Sequence, residues 1–151
     1  IRAISLLPEN YHALFVGDGV CRSECEALAA TSDAASRIRF AGIRTDVPQL
    51  LKTADIVVMS SHWEGFGLAA VEGMAAHKPV LATDVPGLRE VVEGAGVLFE
   101  HENPQQLADS IRQLTDDPAL YAETADRCAA RAAEYDIAKM AEAYLQTYQS
   151  L

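Results

Sequence analysis

"SHWEGFGLAAVEGMAAHKPV", Ser61–Val80, decides how this chain is read. It places Glu64 and Glu72 eight positions apart, with the turn Gly65-Phe66-Gly67 between them. Gly65 and Gly67 permit backbone conformations closed to other residues and let a ligand approach closely. The spacing predicts a helix over 68–76, whose first turn offers unpaired amide donors and a partial positive charge. A diphosphate is a natural occupant of such a helix start. Glu72, in the first two turns, can accept two hydrogen bonds from a vicinal diol such as a ribose, and Glu64 can reach across the same mouth. The plain alternative makes Glu64 a loop or capping carboxylate and Glu72 a solvated helix residue. Leu68, Ala69, Ala70, Val71, Met74, Ala75 and Ala76 surround Glu72, so the helix is expected to be largely buried and its carboxylate to need a partner.

Working outward, short apolar runs alternate with helical patterns. Strands are expected at 12–17, 37–42, 55–59, 78–83 and 96–99, the third as a nearly continuous apolar run that suits a parallel sheet covered on both faces. Helices are expected at 21–31, at 47–53 with Asp46 as cap and Pro48 in the first turn, at 68–76, in a short segment from Pro86, and through most of 104–151. Alternation with short loops specifies an α/β class, a Rossmann-like doubly wound parallel sheet with helices on both faces. Such sheets bind ligands at the carboxyl ends of their strands, where four loops (17–19, 42–44, 60–67 and 83–87) are expected to converge. Val16-Gly17-Asp18-Gly19 lacks the third glycine of a dinucleotide fingerprint, so a tight strand-to-helix turn explains it better.

The 151 residues fit one domain with a real core, and the absence of an initiator Met hints at a fragment. A net charge of −10 disfavours nucleic acid and anionic membranes while leaving room for a local anion site. No apolar run reaches the roughly 18 residues of a membrane span, and the start does not read as a signal peptide. Cys21, Cys25 and Cys128 suit reduced, structural thiols of a cytoplasmic protein. Cys21 and Cys25 would share a helix face, but no third and fourth ligand is apparent. His12, His62, His77 and His101 show no common spacing, so no metal site is expected. Trp63 either lines the cleft or fills a loop pocket, and Glu90 either seats a sugar or caps a helix.

The stretch "SSHWEGFGLAAVEGMAAHKPVLATDVPGLREVV" resembles the carboxy-terminal, donor-binding domain of retaining GT-B glycosyltransferases of group 1, which include glycogen synthases and mannosyltransferases. "LFVGDG", "IRFAGI" and "LLKTADIVVMSS" match upstream in order and spacing, and "GVLFEHENPQQLADSIRQLTDDPAL" matches downstream. The resemblance implies that residues 1–151 form a single donor-nucleotide-binding domain, a fragment of a two-domain enzyme that moves a hexose-type sugar from a nucleoside diphosphate to a glycan or glycolipid. Glu72 would hold the ribose hydroxyls. Phe66, Gly67, Leu68 and Ala69, with Gly65 in the turn, would present backbone to the sugar and diphosphate. Glu64, the candidate catalytic residue, would position the donor sugar and its charge. Ile43 and Arg44 would lie near the base.

No metal and no cofactor beyond the nucleotide sugar is implied. The family's first strand, with the Gly-Arg and Lys that neutralise the diphosphate, and the acceptor domain would precede Ile1, so this chain alone is expected to be inactive. Contact with a membrane through that missing domain, and dimerisation of the fragment, are further expectations. The alternatives are a nucleotide-sugar epimerase or hydrolase of the same fold, or a non-enzymatic nucleotide-binding module. Gly73 and His77 depart from the family pattern, in which Ala and Gly are usual.

Overall fold

The computed structural model describes residues 1–150. Strands β1 (Ala13–Val16), β2 (Ile38–Gly42), β3 (Val57–Met59), β4 (Val80–Thr83) and β5 (Val97–Phe99) alternate with α2 (Arg22–Ala30), α3 (Val47–Thr53), α4 (Leu68–Ala75) and α5 (Leu88–Val92). A four-residue helix α1 (Arg2–Ser5) precedes them, and α6 (Pro104–Asp116), α7 (Pro118–Ala132) and α8 (Ile137–Gln149) follow. The expected elements are present within one or two residues at most ends. Helix α1 was not anticipated, because a single turn carries no periodic signal.

Every strand pair is parallel, as the continuous apolar runs predict. β4 is the centre of a three-stranded sheet, β3-β4-β5, with Val57 opposite Val80 and Leu81 opposite Val97. All four of its residues are buried. Their alternation feeds two layers. Val80 and Ala82 pack with Met74 of α4, Leu88 and Val91 of α5, and Cys128 of α7. Leu81 packs with Phe99 and with Ala108, Ile111 and Leu114 of α6. Truncating Leu81 to Ala would cost about 2–5 kcal/mol by opening a cavity between these layers.

β1 and β2 form a separate two-stranded sheet with its own small core of Ala29, Ala34 and Ile38, where Phe15 stacks on Phe40 at 4.8 Å. The expected sheet is therefore divided into two parallel parts. β1 pairs only with β2 and β3 only with β4, so each presents an unpaired edge. A cavity of about 1160 Å³ is lined by residues of both, including Leu14, Val16, Ile56 and Val58.

Capping chemistry follows the sequence. Asn103 accepts the Gln106 amide at α6, Asp117 accepts the Ala119 and Leu120 amides at α7, and Asp136 accepts the Ala138 amide at α8. Asp46 precedes α3 but makes no side-chain cap, because Arg44 engages its carboxylate instead. No helix among the described residues is long and apolar enough to cross a membrane.

Candidate functional site

The loop between β3 and α4 is held by its neighbours as well as by its own side chains. Thr83 Oγ1, at the end of β4, donates to the Ser61 carbonyl at 2.7 Å. Gly67 ends the loop in the left-handed region, φ 90° and ψ 47°, and a Cβ there would lie 2.8 Å from Leu88 Cδ2. Gly87 is more tightly bound: at φ 83°, its Cβ would fall 2.3 Å from the Glu64 carbonyl oxygen. Two glycines therefore let the Glu64–Gly67 backbone lie against the start of α5. Gly65 needs no such freedom, contrary to expectation; its φ is not positive and a Cβ would meet only Trp63 at 3.8 Å.

α4 starts at Gly67 with no side-chain cap and no acidic residue in its first turn. The Ala70 and Val71 amides bond the Gly67 carbonyl, leaving those of Leu68 and Ala69 as donors without helical partners. Together with the positive end of the helix dipole, they are donors that an anion could accept from. Glu64 is half-buried, and its Oε1 accepts the Gly65 amide at 3.1 Å. Phe66 packs edge-on against Tyr135 at 5.2 Å, so its ring anchors the loop to the 3-10 turn that follows α7.

Glu72 lies four residues beyond Leu68 and is exposed, with Leu68 (69% exposed), Ala69 and Ala75 also open. The expectation of a largely buried helix is corrected. Only Ala70, Gly73 and Met74 are buried, because α4 packs on one side and its small alanines can tolerate solvent. Glu72 is thus free to meet a ligand rather than forced to find a protein partner. Gly73 has a packing reason: its Cβ would come within 3.0 Å of three side-chain carbons of Val57 on β3.

Ile43 is 80% exposed after Gly42, and Arg44 is held in a two-bond ion pair with Asp46 at 2.8 and 2.7 Å. These residues lie at the end of β2, beside Gly17, whose amide donates to the Gly42 carbonyl. The strand ends therefore group as two pairs of loops, 17–19 with 42–44 and 60–67 with 83–87, and none of the expected site residues lines the large cavity between the sheets. Trp63 is 78% exposed and fills no pocket.

The arginines of this rim are occupied. Arg22 pairs with Asp18 and Glu26, Arg44 with Asp46, and Arg89 with Asp84. The Arg89 guanidinium holds the Asp84 carboxyl below the usual range, and Arg44 does the same to Asp46. Such exposed pairs contribute little to stability, but they leave these guanidiniums partnered at the rim.

Sequence reasoning missed two features. Gly87 positions the Glu64 backbone; the sequence set Pro86 and Gly87 in a rim loop at the start of a short helix, with no sign of the contact. His62 and His101, expected to be unrelated, meet with their ring centroids 3.9 Å apart and their planes tilted, because β3 and β5 flank β4 and their outgoing loops meet.

Comparison with known proteins places these features in a lineage. Residues 1–135 match the model of the glycosyl transferases group 1 family. The chain is 34% identical over 134 residues to the lipopolysaccharide core biosynthesis mannosyltransferase LpsB of Rhizobium meliloti, covering 85% of this chain and 38% of LpsB. It is 36% identical to a D-inositol 3-phosphate glycosyltransferase of Kineococcus radiotolerans, over 70% of this chain and 27% of that protein. The crystal structure of Anabaena HepE in complex with UDP superposes with a TM-score of 0.92 at 30% identity, covering 99% of this chain and 43% of HepE. HepE has also been crystallised with UDP-glucose, with a TM-score of 0.91 at 30% identity and the same coverage. The chain spans about two fifths or less of each of these relatives. With its parallel α/β core and its uncapped glycine-started helix, the chain belongs to the group 1 glycosyl transferases and has the fold of their carboxy-terminal GT-B domain.

Proposed function

We propose that residues 1–151 are the donor-nucleotide-binding domain of a retaining glycosyltransferase that takes a hexose-type sugar from a nucleoside diphosphate. The observation that carries this reading is the start of α4. Left-handed Gly67 leaves the Leu68 and Ala69 amides without helical partners, and exposed Glu72 follows one turn on. In this reading the diphosphate takes the amides of Phe66, Gly67, Leu68 and Ala69, with Gly65 giving close approach. The Glu72 carboxylate accepts the ribose diol. Glu64 orients the donor sugar and faces the charge that develops as the bond to the diphosphate breaks. Ile43 and Arg44 border the base. The crystal complexes of HepE with UDP and UDP-glucose make uridine nucleotides the first donors to try.

The divided sheet supports a second element of the reading. The cavity between the open edges of β1 and β3 would accept a parallel strand from a longer polypeptide, joining the two parts into one doubly wound sheet. The same polypeptide would bring the acceptor domain and the cationic groups that the paired arginines of this rim do not supply. Residues 1–151 alone then bind nucleotide weakly and transfer nothing. Unpaired Cys21, Cys25 and Cys128 support a reducing, cytosolic setting.

The test is steady-state kinetics of a two-domain polypeptide containing this segment, with UDP-glucose as donor. Glu72→Ala should raise the donor KM at least about tenfold, the loss of one charged hydrogen bond to the diol. Glu64→Gln should lower kcat with little change in donor KM. Unchanged kinetics in both variants would overturn the assignment.

A further inference from the structure

We propose that His62, His101 and Glu102 form a binding site for a divalent first-row transition cation of the zinc, cobalt or nickel class. Among the described residues these three are the one group of histidine, cysteine and acidic side chains whose ligand atoms cluster, all within 4.8 Å of one another. The two imidazoles come from different elements. His62 leaves the end of β3 and His101 the end of β5, and their rings meet at 3.9 Å with planes tilted by 47°.

The scaffold on both sides is fixed by groups other than the three ligands. Thr83 Oγ1 holds the Ser61 carbonyl, and the Asp84 amide donates to Phe99. The turn after β5 is closed by the Asn103 amide on the Glu100 carbonyl, by Asn103 Nδ2 on the Glu100 carboxylate, and by the Glu100 amide on Gln106. Glu102 sits within that turn at φ 59°, a conformation few non-glycine residues hold, which brings its carboxylate beside the rings. No ion pair among the described residues occupies His62, His101 or Glu102, whereas His77 is bonded to Asp126.

The donor set selects the ion. Two neutral imidazoles with one carboxylate suit zinc, cobalt or nickel, while magnesium and calcium prefer all-oxygen shells. Ligands about 2.0–2.2 Å from such an ion lie at most about 4 Å apart, so small rotations of these side chains close the site. Three protein ligands leave at least one position for water. The net charge of −10 draws cations to the chain. Bound metal would clasp the loops leaving β3 and β5 across β4. His62, His101 and Glu102 also line the cavity in which a further strand is proposed above, but the site draws no ligand from that strand or from the donor-binding residues.

The experiment titrates Co²⁺ and Zn²⁺ into the 151-residue chain by calorimetry. Exposed Cys21 and half-buried Cys25 are first changed to Ser, which removes the competing thiols. One saturable equivalent is expected, with affinity falling at least about tenfold in His62→Asn, His101→Asn and Glu102→Gln. Circular dichroism without metal should be the same for every variant. X-ray absorption of the unmutated site with cobalt should show two imidazoles and only nitrogen or oxygen donors, whether or not a variant folds. No saturable binding, equal affinity in the variants, or a cobalt shell without two imidazoles overturns the proposal.

Discussion

Gly87→Ala is the sharpest perturbation of the loop that carries Glu64. At φ 83° and ψ −56°, Gly87 occupies a region that an alanine enters at a cost of about 1–3 kcal/mol. Its added Cβ would lie 2.3 Å from the Glu64 carbonyl oxygen and 3.1 Å from the carbonyl carbons of Glu64 and Gly65. All three atoms are backbone, so no rotamer relieves the overlap; the Glu64–Gly65 segment must move by about 1 Å to restore a normal contact. Overpacking of this kind adds about 1–3 kcal/mol. A total loss of at least about 2 kcal/mol corresponds to a Tm lower by at least roughly 4–8 °C in a domain of this size. Urea unfolding followed by far-ultraviolet circular dichroism measures it as a lower midpoint at an unchanged slope. In a two-domain enzyme, a 1 Å displacement of Glu64 should also cost about a hundredfold in kcat/KM. A variant within 0.5 kcal/mol, roughly the scatter of neutral surface changes, would refute the claim that Gly87 seats this loop.

Three further outcomes are expected. Gly73→Ala improves helix propensity by about 1 kcal/mol, yet its methyl meets three carbons of Val57 at 3.0 Å at a cost of about 1–3 kcal/mol, so urea melts should show no stabilisation and a net loss of up to about 2 kcal/mol. His77→Gly should stabilise by about 1 kcal/mol. His77 holds φ 60° where α4 ends, with the Lys78 amide on Gly73 and the His77 amide on Met74, a glycine position; its exposed contact with Asp126 offsets little. Burial pushes the Cys128 thiol pKa up and keeps reagent away from its sulfur, whereas Cys21 is exposed. Mass spectrometry after iodoacetamide should find Cys21 modified first and Cys128 only in urea; equal labelling of the native chain contradicts its burial.

The parallel α/β class was legible from the nearly continuous apolar run of the third strand, although it is β4 that is buried on both faces while Val58 of β3 is exposed. The helix after Gly67 was legible from its glycines and its small apolar residues. Burial of Glu72 was misjudged for the same reason. Alanine fits a solvated face as well as a core, and periodicity of small residues does not say which side is covered. The division of the sheet could not be read from the strands themselves, since each looks alike whether its edge is paired or open; only the resemblance, which sets the family's first strand before Ile1, implied a gap. Nor could the meeting of His62 with His101, which depends on strand order rather than on spacing. Arg44 and Asp46, two residues apart, form a local pair that a capping rule overlooked.

The central claim is that the start of α4 holds a nucleoside diphosphate. Titrating UDP into the isotope-labelled chain and following its backbone amides by NMR tests it most directly, because weak binding is still seen. The account predicts saturable shifts concentrated at Phe66–Ala69 and around Glu72, weakened at least about tenfold by Glu72→Ala. Shifts that map elsewhere, or that survive Glu72→Ala unchanged, would contradict it.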